Sequence, residues 1–354
     1  MEDLYDTPPK KLDTFIEKYL QPNSSFLEEM NRAVDSICRF LKEYCFRDAS
    51  WRPQSRRPRV LKVVKGGSLG KGTALKGRSD ADLVLFLDIF KGYTDQERDR
   101  KQIIQEIGKR LGEWQRVEQR YFGVWIESTK WENPRVLSFT LQSQDLKIEF
   151  DVLPAYNAID QYYKPDPQVY VELIEANSRP GEFSSCFTEL QKKFISRRPT
   201  KVKSLIRLVK YWYKKCQKKA SLPPKYAMEL LAIYAWEHGG QRTNFDMAEG
   251  FRTVLWLIEH YQELCIFWTT YYDFENETIK RHLQEQLRKS RPVILDPADP
   301  TGNLGQGYRW DLLAQEAKMA SSRICSNLVA PWSVPQQARV MLGLSAWASV
   351  FCQL

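Results

Sequence analysis

Histidine and paired cysteine are what this sequence has least of. It holds three histidines, His238, His260 and His282, and seven cysteines, with no CxxC pair and no cysteine close to a histidine. That pattern excludes the usual close-spaced zinc site, and an odd set of scattered thiols reads as reduced, packed cysteines of a cytoplasmic protein. No apolar run reaches the roughly 20 residues that a membrane-spanning helix needs. The longest, Val340 to Cys352, is interrupted by Gly and Ser. The start, MEDLYDTPPKKLDTF, is too polar for a secretory signal. Cys352 stands third from the end, where prenylation needs the fourth position. No membrane attachment is therefore expected. Low-complexity tracts and internal repeats are absent too. With 11 Trp, 17 Tyr and 17 Phe in 354 residues, the composition is that of a folded enzyme or binding module.

Acidic residues are outnumbered, 44 against 53 Lys and Arg, for a net charge of +9, which points to a polyanionic partner. They are missing altogether from residues 197–219, where ten of the cations collect: Arg197, Arg198, Lys201, Lys203, Arg207, Lys210, Lys214, Lys215, Lys218 and Lys219. At helical spacing Lys203, Arg207, Lys210 and Lys214 form one stripe, while Leu205, Leu208, Val209 and Trp212 take other angles and pack inward. A solvated face would mix signs.

Hydrophobic periodicity predicts helices over 11–20 and 25–45. Phe26, Met30, Val34, Ile37, Phe40 and Leu41 make one face of the second, with Asn23 or Ser24 as its cap. A basic, Pro-interrupted connection at 51–58 leads into strands at Val60–Val64 and Asp82–Leu87. A charged helix over 95–120 precedes two more strands, Arg135–Leu141 and Lys147–Leu153. Beyond residue 160 the pattern turns helical: 185–196, 201–219, 224–238, 247–263 and 275–289. The expected fold class is α+β, with a ligand cleft between a mixed α+β half and a helical half.

The strongest chemical signal is Gly67-Ser68, then Asp80-Ala81-Asp82, then Asp151. Residues i and i+2 of a strand share a face, so Asp80 and Asp82 project together. The run Leu83 to Leu87 is apolar on both faces, as in a buried central strand. Two carboxylates at its start repel and raise each other's pKa unless a cation lies between them. If the strand bearing Asp151 lies alongside, three carboxylates converge, a hard oxygen set suited to Mg²⁺ and to nucleoside triphosphate chemistry. The glycine-rich stretch is not a P-loop, since GGSLGKGT has Gly-Lys-Gly where the motif needs Gly-Lys-Ser/Thr. Gly66 and Gly67 let the backbone approach phosphates, and Ser68 can donate to them.

On these residues the sequence resembles the polymerase-β-like nucleotidyltransferases. KVVKGGSLGKGTALKGRSDADLV, IEFDVLPAY, RPTKVKSLIRLVKYWY, LPPKYAMELL and RPVILDPADPTGN look like the 2′-5′-oligoadenylate synthetases, over most of residues 3–318. The resemblance implies a nucleotidyltransferase catalytic domain at 1–158, a helical C-terminal domain at 159–318 completing the ATP and RNA sites, and a divergent tail at 319–354. It implies a cytoplasmic enzyme of antiviral innate immunity. Activated by double-stranded RNA, it would join ATP units into 2′-5′-linked oligoadenylates and release pyrophosphate. Asp80, Asp82 and Asp151 would bind two Mg²⁺, with Asp151 helping to activate the acceptor 2′-hydroxyl. Gly67, Ser68, Arg207, Lys210 and Lys225 would meet ATP, and Lys42, Lys65, Lys192, Arg197, Thr200 and Lys201 the RNA. Tyr226 is open to two readings, adenine stacking or core packing. The linkage follows from the resemblance alone. A non-catalytic, duplex-RNA-binding relative and a nucleotidyltransferase with another product are the competing readings. From about Lys318 the sequence departs from the family pattern, which leaves homo-oligomerisation open.

Overall fold

The computed structural model describes the chain except residues 1–2, 48–56, 78–79, 119–122, 128–131, 143–146, 160–163, 177–178, 217–220, 326–328 and 336–354. Most of the expected basic connection at 51–58, Lys218, Lys219 and the apolar tail from Val340 therefore lie outside the described residues. The architecture is α+β. Strands β1 (Val60–Lys65), β2 (Asp80–Leu87), β3 (Gly123–Ile126), β4 (Leu137–Gln142) and β5 (Lys147–Ala155) form a mixed sheet in the order β1-β2-β5-β4-β3. Only β2 and β5 run parallel within it. A short parallel pair, β6 (Cys265–Ile266) and β7 (Val293–Ile294), lies in the helical half.

The α-helices are α1 (Leu12–Phe15), α2 (Ser24–Arg39), α3 (Gly67–Lys71), α4 (Tyr93–Glu118), α5 (Pro167–Glu175) and α6 (Thr188–Ser196). They continue with α7 (Thr200–Cys216), α8 (Lys225–His238), α9 (Met247–Glu259), α10 (Glu277–Leu287) and α11 (Trp310–Arg323). The side chain of Asn23 caps α2, accepting from the Phe26 amide at 2.9 Å. The helix predicted over 25–45 passes at Arg39 into one wider π-type turn, Phe40–Tyr44. Besides the short α3, two helices have no counterpart in the predicted set. One is α5, although its start carries an Asp cap followed by Pro at the first helical position. The other is α11.

The sheet is packed on both faces, and its two faces belong to different cores. Ala81, Leu83, Leu85 and Leu87 join Ile148, Phe150 and Val152 against α2 and α4. Val84 and Phe86 point the other way, into the core that α6 to α9 build around Trp212, Leu230 and Phe251. Leu4, Leu12, Phe15, Ile16 and Leu20 are buried in that same helical core, so the chain's first helical segment packs with the second half rather than with the sheet. Trp332 docks on α9, its amide donating to Thr253 Oγ1 at 2.9 Å and its indole nitrogen to Glu249 at 3.1 Å. Its ring occupies the space that a side chain at Gly239 would need. Among the described residues no helix is long and apolar enough to cross a membrane, and the six described cysteines are free thiols.

Candidate active site

Strand register decides which side chains meet. Asp82 lies directly beside Asp151, and Asp80 beside Glu149, across the parallel β2–β5 pair. Ser138 and Thr140 of β4 stand opposite Asp151 and Glu149 in turn. At the far edge the Glu127 amide donates to the Ser138 carbonyl at 3.0 Å, and Trp125 pairs with Thr140. The uncovered end of the sheet thus presents two rows, Asp82-Asp151-Ser138-Glu127 and Asp80-Glu149-Thr140-Trp125. Further along β2, the same face carries Val84 and Phe86, already under the helical half. The acids sit where that cover stops.

A cavity of about 460 Å³ opens there. Asp80, Asp82 and Asp151 line it, together with Gly67, Ser68, Lys210 and Lys225. Lys71, Lys214, Tyr226 and Glu229 complete much of the wall. The Asp82 carboxyl is pushed up to about 6 by burial and then by the charges of Asp151 and Asp80, with Lys71 opposing. The repulsion expected from the two-residue acid spacing is present, and it is strengthened by a neighbour 69 positions on in the chain. Ser138 donates its hydroxyl to Asp151, on the side of β5 away from Asp82. Among the described residues no three His, Cys, Asp or Glu side chains stand together as a finished metal cage. The donor set nevertheless suits a hard divalent ion. It is all carboxylate oxygen, and the raised Asp82 carboxyl marks a place where added positive charge is favourable.

The glycine-rich segment is helical rather than a loop. It forms α3, which β2 anchors through a bond of 2.8 Å from the Gly66 amide to the Asp82 carbonyl. Gly67 has φ of +56°, and a Cβ there would fall 2.3 Å from Asp82 Oδ2, so only glycine allows this approach. Ser68 is thereby set against the acids inside the cavity.

Facing the carboxylates is a cationic wall that carries its own counter-charge. Lys71 pairs with Glu229 at 2.8 Å, and Lys210 pairs with it at 3.3 Å. Burial alone would raise the Glu229 carboxyl, but Lys71 and Lys210 outweigh it and hold the group below its ordinary range. Burial pushes the Lys210 ammonium down. The expected cationic stripe on α7 is therefore not a uniform solvent face, because Lys210 is 8% exposed. Arg207 is absent from the cavity lining. Its guanidinium donates to the carbonyls of Ala74 at 3.0 Å and Gly72 at 2.7 Å, holding the turn after α3. Tyr226 is held on both sides: its hydroxyl donates to Asp296 at 3.3 Å, and Lys71 lies 4.1 Å from the ring centre.

The sequence reading missed Glu229, Glu149 and Lys71. For Glu229 a signal existed, since a lone acid inside the apolar run of α8 is buried only with cationic partners. For Glu149 it was the same two-residue spacing from Asp151 that links Asp80 to Asp82.

The residues expected to meet RNA spread over elements around α3. Lys42 is exposed on the Phe40–Tyr44 turn, and Lys65 ends β1, paired with Asp35 at 2.8 Å. Lys192 passes beside Gly70 and lines a second cavity that reaches Asp82 and Asp151. Arg197 and Thr200 are exposed at the α6–α7 junction, and Lys201 pairs with Asp13 at 3.1 Å.

Comparison with known proteins adds three findings. Residues 163–337 match the family described as 2'-5'-oligoadenylate synthetase 1, domain 2, C-terminus, and residues 49–137 match a nucleotidyltransferase domain. The chain is 55% identical to mouse 2'-5'-oligoadenylate synthase 3 over 94% of its own length but 30% of that protein's. It is 50% identical to rat 2'-5'-oligoadenylate synthase 1A, covering 94% of this chain and 97% of that one. It thus spans under a third of the first relative and nearly all of the second. Among solved structures, that of the E. coli MS115-1 CdnC:HORMA-deltaN complex has a TM-score of 0.59 at 15% identity, covering 90% of each chain. A cytoplasmic RNA terminal U-transferase reaches 0.54 at 14% identity, covering 94% of this chain and 99% of that one. These two likenesses concern the fold alone.

Proposed function

The chain belongs to the 2′-5′-oligoadenylate synthetase family, and from that premise we propose that it joins ATP units into 2′-5′-linked oligoadenylates under the control of double-stranded RNA. The observation that carries this reading is the register of β2 and β5. It sets Asp82 beside Asp151 in a cavity whose other wall holds Ser68, Lys210, Lys214 and Lys225.

In this reading Asp80, Asp82 and Asp151 would hold two Mg²⁺, which would supply positive charge to offset that of the triphosphate and pyrophosphate. The Gly67 and Ser68 amides and the Ser68 hydroxyl donate to phosphate oxygens. Lys210, Lys214 and Lys225 balance the remaining negative charge from the opposite wall. Arg207 acts one step back by fixing the turn that follows α3. Asp151 receives the proton of the acceptor 2′-hydroxyl as its oxygen bonds to the α-phosphorus and the α–β phosphoanhydride bond breaks.

Duplex RNA lying across Lys42, Lys65, Lys192, Arg197, Thr200 and Lys201 would contact both halves of the chain. Its effect is a population shift that draws Asp151 from Ser138 towards Asp82. Such contacts are mainly to phosphates and 2′-hydroxyls, so RNA binding is sequence-tolerant and weakens steeply with salt. The setting is the cytoplasm and the role antiviral.

The test is incubation with ATP, Mg²⁺ and duplex RNA, with product linkage read by a nuclease specific for 3′-5′ bonds. Resistant oligomers that appear only with RNA are expected, and Asp80→Ala and Asp151→Ala abolish them while RNA binding persists. No product at any RNA concentration, equal rates without RNA, or products that the nuclease cuts would overturn the reading.

A further inference from the structure

The acidic face of the sheet does not end at the acids. Its second row runs Asp80-Glu149-Thr140-Trp125, and Trp125 on edge strand β3 is 55% exposed, the most exposed large apolar side chain among the described residues. Its indole is not splayed into solvent at random. It lies back over Gly123, two residues earlier on the same face, where a Cβ would fall 2.3 Å from the ring. The missing side chain at Gly123 thus makes a seat that holds the indole along the sheet with much of its surface open. Three strand spacings separate β2 from β3, on the order of 14 Å at ~4.8 Å per strand.

We propose that Trp125 is a stacking subsite for a base of the growing oligonucleotide, three or four nucleotides from the reacting end. The inference rests on the reading that this site elongates an oligonucleotide. The distance is covered by about four stacked nucleotides at ~3.4 Å each. Aromatic faces accept a base without reading its edges, which suits a homopolymeric product. The acids between the two ends work in the same sense. Glu149 and Glu127 line the cavity and face the path, so they repel the phosphates and leave the base as the part presented to the sheet. The dimer and trimer fall short of the indole, and tetramers and longer products reach it. Trp125 would therefore act on chain length, by retaining the product for another round.

The experiment has two arms. In the first, product lengths are compared for the wild-type protein, Trp125→Ala and Trp125→Phe. The ratio of tetramers and longer products to dimers should fall roughly five- to hundred-fold in the Ala variant, the range spanned by one base–aromatic stack, and recover in the Phe variant. In the second, binding of a preformed 2′-5′-linked adenylate pentamer is measured without ATP, alongside a thermal melt that checks the fold. Affinity should fall by a similar factor in the Ala variant, with the dimer's affinity falling far less. An unchanged length distribution with unchanged pentamer binding overturns the proposal, as does a change in self-association with pentamer binding intact. If the wild-type protein makes no oligonucleotide, the reading of the site has failed, and the pentamer arm still decides whether Trp125 holds a base.

Discussion

Replacing Asp82 by Asn should stabilise the metal-free protein, which is the reverse of what deleting a charged group at a working site usually suggests. The Asp82 carboxyl is raised from 3.8 to about 6, so the folded chain holds its proton more tightly than the unfolded chain does. Between about pH 4 and pH 6 the unfolded state has lost this proton and the folded state has kept it. Stability therefore falls as pH rises through this window, and above it the whole cost is present. At 1.36 kcal/mol per unit, the shift of roughly two units sets a ceiling of ~3 kcal/mol at pH 7. Because Asp80 and Asp151 share the repulsion, a gain of about 1–3 kcal/mol is expected for Asp82→Asn. Urea denaturation in EDTA measures it at pH 7 and again at pH 4.5, where the folded chain keeps the proton but the unfolded chain has largely lost it, so the difference should shrink to roughly a third. Adding Mg²⁺ at pH 7 should reverse the order, because under the proposed function the wild-type acids would hold the ion and the variant would do so poorly. A variant less stable than wild type at pH 7 in EDTA, or a gain that is the same at both pH values, would refute the reasoning.

Three more perturbations probe the rest of the site and its support. Gly67→Ala forces a methyl group onto Asp82 at a left-handed backbone position. It should cost ~1–2 kcal/mol in chemical denaturation and abolish Mg²⁺-dependent stabilisation, whereas a normal Mg²⁺ response would contradict the close approach. Glu229→Gln leaves Lys71 and Lys210 without their counter-charge. Breaking such a buried pair costs roughly 3–5 kcal/mol, and because the folded carboxyl lies below its usual range, the wild-type advantage should fade as pH drops below about 4.5. A urea midpoint shared with wild type at pH 7 would rule out the ion pair. Gly239→Ala drives a methyl group into the Trp332 ring and should destabilise by about 1–3 kcal/mol. Combining it with Trp332→Ala should cost less than the sum of the two, and strict additivity would contradict the contact.

What could be read from the sequence was whatever local periodicity encodes. The five predicted helices of the second half, the four predicted strands and the Asn23 cap match observed elements to within a few residues, because each is written in spacing and capping chemistry. Strand β3 escaped because Gly123–Ile126 is four residues long and has Gly at one end. The glycine-rich α3 escaped because glycine argues against helix, and its conformation is set from outside by the bond from Gly66 to Asp82. The site divides in the same way. Asp80 and Asp82 follow from a two-residue repeat, but the neighbourhood of Asp82 and Asp151 depends on which strands pair, and local pattern does not specify pairing. The cationic wall shows the same limit. Arg207 and Lys210 are both visible in the sequence as charges on α7, yet only the fold separates one that lines the cavity from one that braces a turn.

The burial of residues 4–20 among α7 and its neighbours has a consequence for how the chain comes together during synthesis. This segment finds its partners only after residues beyond 200 have been made, since Asp13 pairs with Lys201 and Asp3 with Lys215. Until then Leu12, Phe15 and Ile16 have nothing to cover them, and such exposed apolar surface invites aggregation in a half-made chain. The sheet can assemble once residue 155 has emerged, but residues 4–20 must wait for α7, more than forty residues further on, before their apolar side chains are covered.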